Sequence, residues 1–153
     1  MQQTLTSIPL TAIGFAKTDM PDEEIARCRR TLVSEIIIEP QYESALTGIE
    51  AYSHLIVLFW MGRTPPFENV LLHPSAEASA PRVGAFAMRR RNRPNPIGLA
   101  VVDLIQRVNN RLIVRRLDAY DQSPIIDIKP YDHYDTFTQL RVPAWSNSAP
   151  RTP

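Results

Sequence analysis

The chain has one cysteine, five glycines and three histidines in 153 residues. A single thiol, Cys28, excludes a disulfide framework and a thiolate metal centre. His54, His73 and His133 lack metal-ligand spacing. There is no G-x-G-x-x-G after a strand, no Walker loop and no G-x-S-x-G. A Rossmann nucleotide enzyme and a simple hydrolase therefore lose support. Lysine is nearly missing: Lys17 and Lys129 are the only two, and the other cations are arginines. Net charge is only +1, so any affinity for nucleic acid must come from a local patch. No apolar run approaches the length of a membrane span, and the N-terminus has no basic-then-apolar signal pattern. A soluble, cytoplasmic protein with one core is the expectation.

What is abundant is arginine and proline, and they meet at Arg89-Arg90-Arg91-Asn92-Arg93-Pro94-Asn95-Pro96-Ile97-Gly98-Leu99. Pro94 and Pro96 disfavour helix at Arg93 and Asn95 and fix their own φ. Residues 93–96 read as a stiff, extended rod presenting the Asn95 carboxamide. That group donates and accepts at once, which suits an adenine edge. Gly98 permits close approach of a backbone or a flat ligand. The arginines suit phosphate, carboxylate or stacked bases. The plainer alternative is a turn entering a strand, with Asn95 capping its own backbone and the arginines solvated.

Around this element the pattern predicts about seven short strands and few short helices. The strands are expected over 11–15, 34–40, 52–61, 83–88, 99–105, 111–117 and 125–131. The segment Tyr52 to Met61 is the most apolar and reads as a buried strand, with His54 as a structural hydrogen-bonder at its mouth. Tyr42 to Leu46 reads as a helical turn ended by Gly48, and Asn109-Asn110 as a tight turn. Asp22 to Arg30 could form a helical turn, but it shows no apolar face and reads rather as a solvated loop carrying Arg27, Arg29 and Arg30. The long segment 62–82 reads as a lid, a binding loop or an insertion. The fold class is a single closed or nearly closed β-barrel over 1–143, with a tail over 144–153.

Arg93-Pro94-Asn95-Pro96-Ile97-Gly98-Leu99 resembles the signature of the TrmO family, also called TsaA-like or YaeB-like. Gly48-Ile49-Glu50-Ala51-Tyr52-Ser53-His54-Leu55 with Leu58-Phe59-Trp60 resembles its second block. Asp127-Ile128-Lys129-Pro130-Tyr131 resembles its third, and Ile13-Gly14 its opening strand. The resemblance implies a β-barrel methyltransferase that uses S-adenosylmethionine. The implied substrate is N6 of a threonylcarbamoyl-modified adenosine beside the tRNA anticodon. It also implies a homodimer with the cofactor near the subunit interface. Cofactor contacts then fall on Arg27 and Cys28, Met61 and Gly62, Arg89, Leu99, Asp118, Asp121, Gln122, Ser123 and Pro124. Asn95, Arg93, Lys129 and Tyr131 take the catalytic positions, and Arg90 and Arg91 face RNA. No metal is implied.

Three departures touch these positions. Met88-Arg89-Arg90-Arg91 stands where the family usually has Thr-Arg-Ser-Pro. Gly62 replaces a histidine, and Asp121-Gln122-Ser123-Pro124 lacks the glycine of Asp-Gly-x-Pro. The C-terminal domain of longer members is expected to be absent. Two alternatives stay open: a related methyltransferase with a different, small substrate, and a non-catalytic β-barrel that binds S-adenosylmethionine or RNA.

Overall fold

A computed structural model describes residues 7–74 and 80–146. The chain divides into two units, residues 1–61 with 98–131 and residues 62–97 with 132–153. The first is the barrel unit. Its strands are β1 (Gly14–Lys17), β2 (Val33–Ile38), β3 (His54–Trp60), β4 (Ile97–Val108), β5 (Arg111–Arg115) and β6 (Pro124–Pro130). They close in the order β1-β2-β5-β4-β3-β6, and the paired strands run antiparallel.

Period-two alternation builds the interior. Ile36 and Ile38, Leu55, Val57 and Phe59, Ala100 and Val102, Leu112 and Val114 all point inward and are buried. The segment expected to be a buried strand is one, buried on one face while Ile56, Leu58 and Trp60 alternate outward. β6 carries one extra residue opposite Leu58 and Phe59, so Ile125 and Ile128 both reach the core. This bulge explains a strand whose pattern does not alternate cleanly in the sequence. Each fully buried aliphatic side chain stabilises the barrel by roughly 1.5–3 kcal/mol relative to exposure.

The short connections are set by local chemistry. Pro40–Leu46 forms the expected helical turn, as a 3₁₀ helix, and Gly48 follows it with φ +87°. Asn109 turns the β4–β5 hairpin with φ +55°, and the Asn110 amide donates to the Ile38 carbonyl at 2.6 Å.

Two expectations fail here. Asp22–Cys28 is a helix, α1, not a solvated loop. Its first turn is acidic and its last holds Arg27, the arrangement a helix dipole favours. It buries a single side chain, Ile25, so no apolar stripe could show in seven residues. Residues 83–88 form no strand, so the barrel has six strands and not about seven. Ala85–Ala87 coils into a 3₁₀ turn, where the amides of Ala87 and Met88 bond to Gly84 and Ala85 and are lost to any ladder.

The loop unit is tied by polar contacts. Leu72 and Val83 form an isolated bridge. The Arg82 guanidinium donates twice to the Leu71 carbonyl, and His73 Nδ1 lies 2.9 Å from the Ala80 carbonyl. Asp132 caps a short turn, His133–Asp135. Of the expected tail, Ala144–Ser146 forms a 3₁₀ turn, and 147–153 lie outside the described residues. Among the described residues no helix is long and apolar enough to cross a membrane. Among them, too, no cluster of three or more His, Cys, Asp or Glu side chains is arranged to hold a metal.

Candidate functional site

Strand polarity sorts the expected residues of the barrel unit onto two rims. Met61 follows β3, Leu99 opens β4, Asp118 to Ser123 join β5 to β6, and Pro124 begins β6. Arg27 and Cys28 end α1, ahead of β2. Antiparallel pairing brings all of these to one rim. Lys129 and Tyr131 end β6, at the opposite rim. At about 3.3 Å per strand residue, the length of β6 separates them from Pro124 by roughly 20 Å.

At the first rim, Tyr120 to Ser123 form a tight turn. The Ser123 amide donates to the Tyr120 carbonyl at 3.0 Å. Gln122 has φ +62°, a left-handed conformation that favours glycine. The glycine missing from the family pattern would sit at this residue. The turn is stitched to β1: the Gln122 amide donates to the Ala16 carbonyl, and the Ala16 amide donates to the Ser123 carbonyl. Asp121 Oδ1 accepts from the Thr18 amide at 3.0 Å. Asp118 is exposed, and its carboxylate has no partner among the described residues. Met61 is half-buried against the core, and Leu99 is 48% exposed on the outward face of β4. The Cys28 carbonyl accepts from the Thr31 and Leu32 amides, and Arg27 pairs with Glu24 at 3.1 Å on the surface.

From His54, which opens β3 at the second rim, a different network runs across the middle of β4 to the end of β5. His54 Nε2 lies 3.1 Å from Asp103 Oδ1, and its Nδ1 lies 2.8 Å from the Ser53 hydroxyl. Asp103 Oδ2 also accepts from Arg115 Nε at 2.8 Å. His54 is thus a hydrogen-bonded residue, as expected for a lone histidine at a strand mouth. Tyr131 donates its amide to the His54 carbonyl, and the two rings sit 6.3 Å apart. Lys129 Nζ pairs with Asp127 at 2.7 Å on the outward face of β6.

The loop unit holds Gly62, Arg89, Arg90, Arg91, Arg93 and Asn95. Residues 93–95 bend and do not form the extended rod expected from two prolines. The Asn95 carbonyl accepts from the Ile97 amide at 2.8 Å across Pro96. Proline's fixed φ suits the centre of such a three-residue turn. The turn alternative was therefore the better reading, but Asn95 caps through its carbonyl. Its carboxamide is exposed and without a partner among the described residues.

Arg93 is committed inward. Its Nη1 donates to the carbonyls of Met88 (2.7 Å) and Ala85 (3.0 Å), and its guanidinium lies 5.6 Å from the Phe86 ring centre. Arg90 donates to the His73 carbonyl at 2.8 Å. A cavity of about 130 Å³ in this unit is lined by Phe67, Val70, Leu72, Met88, Arg90 and Asn92. Asn92 Oδ1 is buried there with no partner among the described residues. Phe86 and Asp103 were not expected from the sequence. A lone aromatic between two alanines and a lone acid in an apolar strand carry no pattern.

Comparison with known proteins places this geometry. The model of the tRNA-methyltransferase O N-terminal domain matches residues 15–136. An S-adenosyl-L-methionine-binding protein of Archaeoglobus fulgidus is 46% identical over 109 residues, covering 71% of this chain and 76% of that protein. The tRNA (adenine(37)-N6)-methyltransferase of Escherichia coli is 39% identical over 93 residues, which is 57% of this chain and 39% of the enzyme. A crystal structure of TrmO superposes with a TM-score of 0.74 at 28% identity, over 90% of this chain and 64% of that one. The chain spans only 26% of a longer Archaeoglobus relative. With the match covering most of its residues, the chain belongs to the tRNA-methyltransferase O N-terminal domain family.

Proposed function

We propose that this chain is an S-adenosylmethionine-dependent methyltransferase acting on N6 of the adenosine beside the tRNA anticodon, in its threonylcarbamoyl-modified form. The observation that carries the reading is the gathering of Met61, Leu99, Asp118 and the 121–124 turn on one barrel rim. These residue types fit the cofactor. Asp118 carries a carboxylate with no partner among the described residues, suited to ribose hydroxyls or to a cationic centre, and Met61 and Leu99 offer apolar surface. When bound, the cofactor supplies an electrophilic methyl group on a sulfonium. The protein's share is alignment more than acid–base power. Asn95 presents an exposed carboxamide whose oxygen can accept from the target amine and orient its lone pair. Arg89 and Arg91 belong to the same arginine run and serve the tRNA phosphate or the threonylcarbamoyl carboxylate.

The relatives named for tRNA methylation in Escherichia coli and mouse support the substrate. A cytoplasmic homodimer is part of the same reading. It is supported by apolar residues exposed along β4: Leu99, Val101, Ile105 and Val108.

The test is transfer of a labelled methyl group to tRNA with and without the threonylcarbamoyl group. Label on the modified tRNA alone is the expected result. Label on a small molecule only would move the substrate elsewhere. Cofactor binding without transfer to any RNA would leave a binding protein.

A further inference from the structure

Phe86 is 79% exposed, although a phenyl ring gains roughly 1.5–3 kcal/mol from burial. A single exposed aromatic is ordinary. Three features set this one apart. First, it does not sit on a free loop. It is the middle residue of the Ala85–Ala87 3₁₀ turn, flanked by two methyl side chains that leave its ring uncrowded. Second, the turn is braced from within. Arg93 Nη1 holds the carbonyls on either side of it, those of Ala85 and Met88, so the backbone under Phe86 is fixed at both ends. Third, the guanidinium that does this lies 5.6 Å from the ring centre, near enough for a cation–π contact. The chain then runs straight into Arg89-Arg90-Arg91.

An exposed ring on a braced turn, a cation beside it and a basic run next in sequence are what single-stranded nucleic acid needs. The cations attract the phosphates, and the flat face takes a base. From this geometry we propose that Phe86 is a base-stacking platform, on which one unpaired nucleotide of the RNA substrate stacks. The assignment rests on the RNA reading above and adds to it a residue that contacts the substrate. The bond is a stack, so its contribution is nearly independent of salt. The arginine contribution is not, because it releases counterions.

The experiment uses the full chain and a fluorescent stem-loop RNA carrying an anticodon-like loop, titrated from low to moderate salt. Phe86→Ala and Phe86→Leu are compared with Phe86→Trp. Alanine and leucine should each weaken binding by about tenfold, the scale of one lost stack. The slope of affinity against salt should stay unchanged. Tryptophan should restore binding, and its emission, above that of Trp60 and Trp145, should be quenched by RNA. Cofactor affinity and molecular mass should not move in any variant. Wild-type binding with no loss in the alanine variant would overturn the stacking role alone. A halved mass in the alanine variant would make Phe86 a protein contact and overturn it too. A wild-type chain that binds no RNA would overturn both this role and the substrate reading.

Discussion

The Phe59 ring lies against Gly98, so closely that a Cβ built at Gly98 would overlap three of its ring carbons. The close approach expected at the glycine is made by a core side chain of the neighbouring strand. Gly98→Ala should destabilise the barrel by about 1–3 kcal/mol, the usual cost of overpacking a buried contact. Chemical denaturation should show the loss, and a paired Phe59→Leu change should recover part of it. Full stability in the single variant would mean the ring swings aside freely.

Asn95→Ala should cost no measurable stability. The carboxamide is exposed and has no partner among the described residues, while the turn uses the main-chain carbonyl. The same variant should lose methyl transfer and keep cofactor affinity within a few fold. Unchanged turnover would remove Asn95 from the reaction.

Arg93→Ala should loosen the loop unit. It strips a charged donor from two carbonyls, and unmade bonds of that kind cost about 1–3 kcal/mol when the groups are shielded. Hydrogen exchange should accelerate at the Ala87 and Met88 amides and leave the core strands protected. Equal protection in both proteins would show that the brace is not needed.

Gln122→Gly should raise stability by up to about 1 kcal/mol. A left-handed residue with a side chain is strained, and glycine relieves that strain while giving back some entropy in the unfolded chain. A thermal melt reads the difference directly. A lower melting temperature would mean that the Gln122 side chain holds the turn.

Apolar alternation, proline stops and turn residues declared most of the barrel in the sequence, because each strand has one face on the core and one face out. The Arg93-to-Leu99 element and the rim segment Asp118 to Pro124 stood out as unusual residue types. Some things were not legible. The bulge in β6 is a pairing event, seen only against β3. The helix α1 hangs on one buried isoleucine. The straightness expected of residues 93–96 failed because proline restricts φ while a three-residue turn sets the direction of the chain. Tertiary structure alone decided that Lys129 and Tyr131 end on the rim opposite Asp118, because strand polarity separates residues that a motif list puts side by side. It alone turned Arg93 inward to brace the Phe86 turn, because where a long side chain finds its carbonyl partners depends on the folded loop and not on its neighbours in sequence.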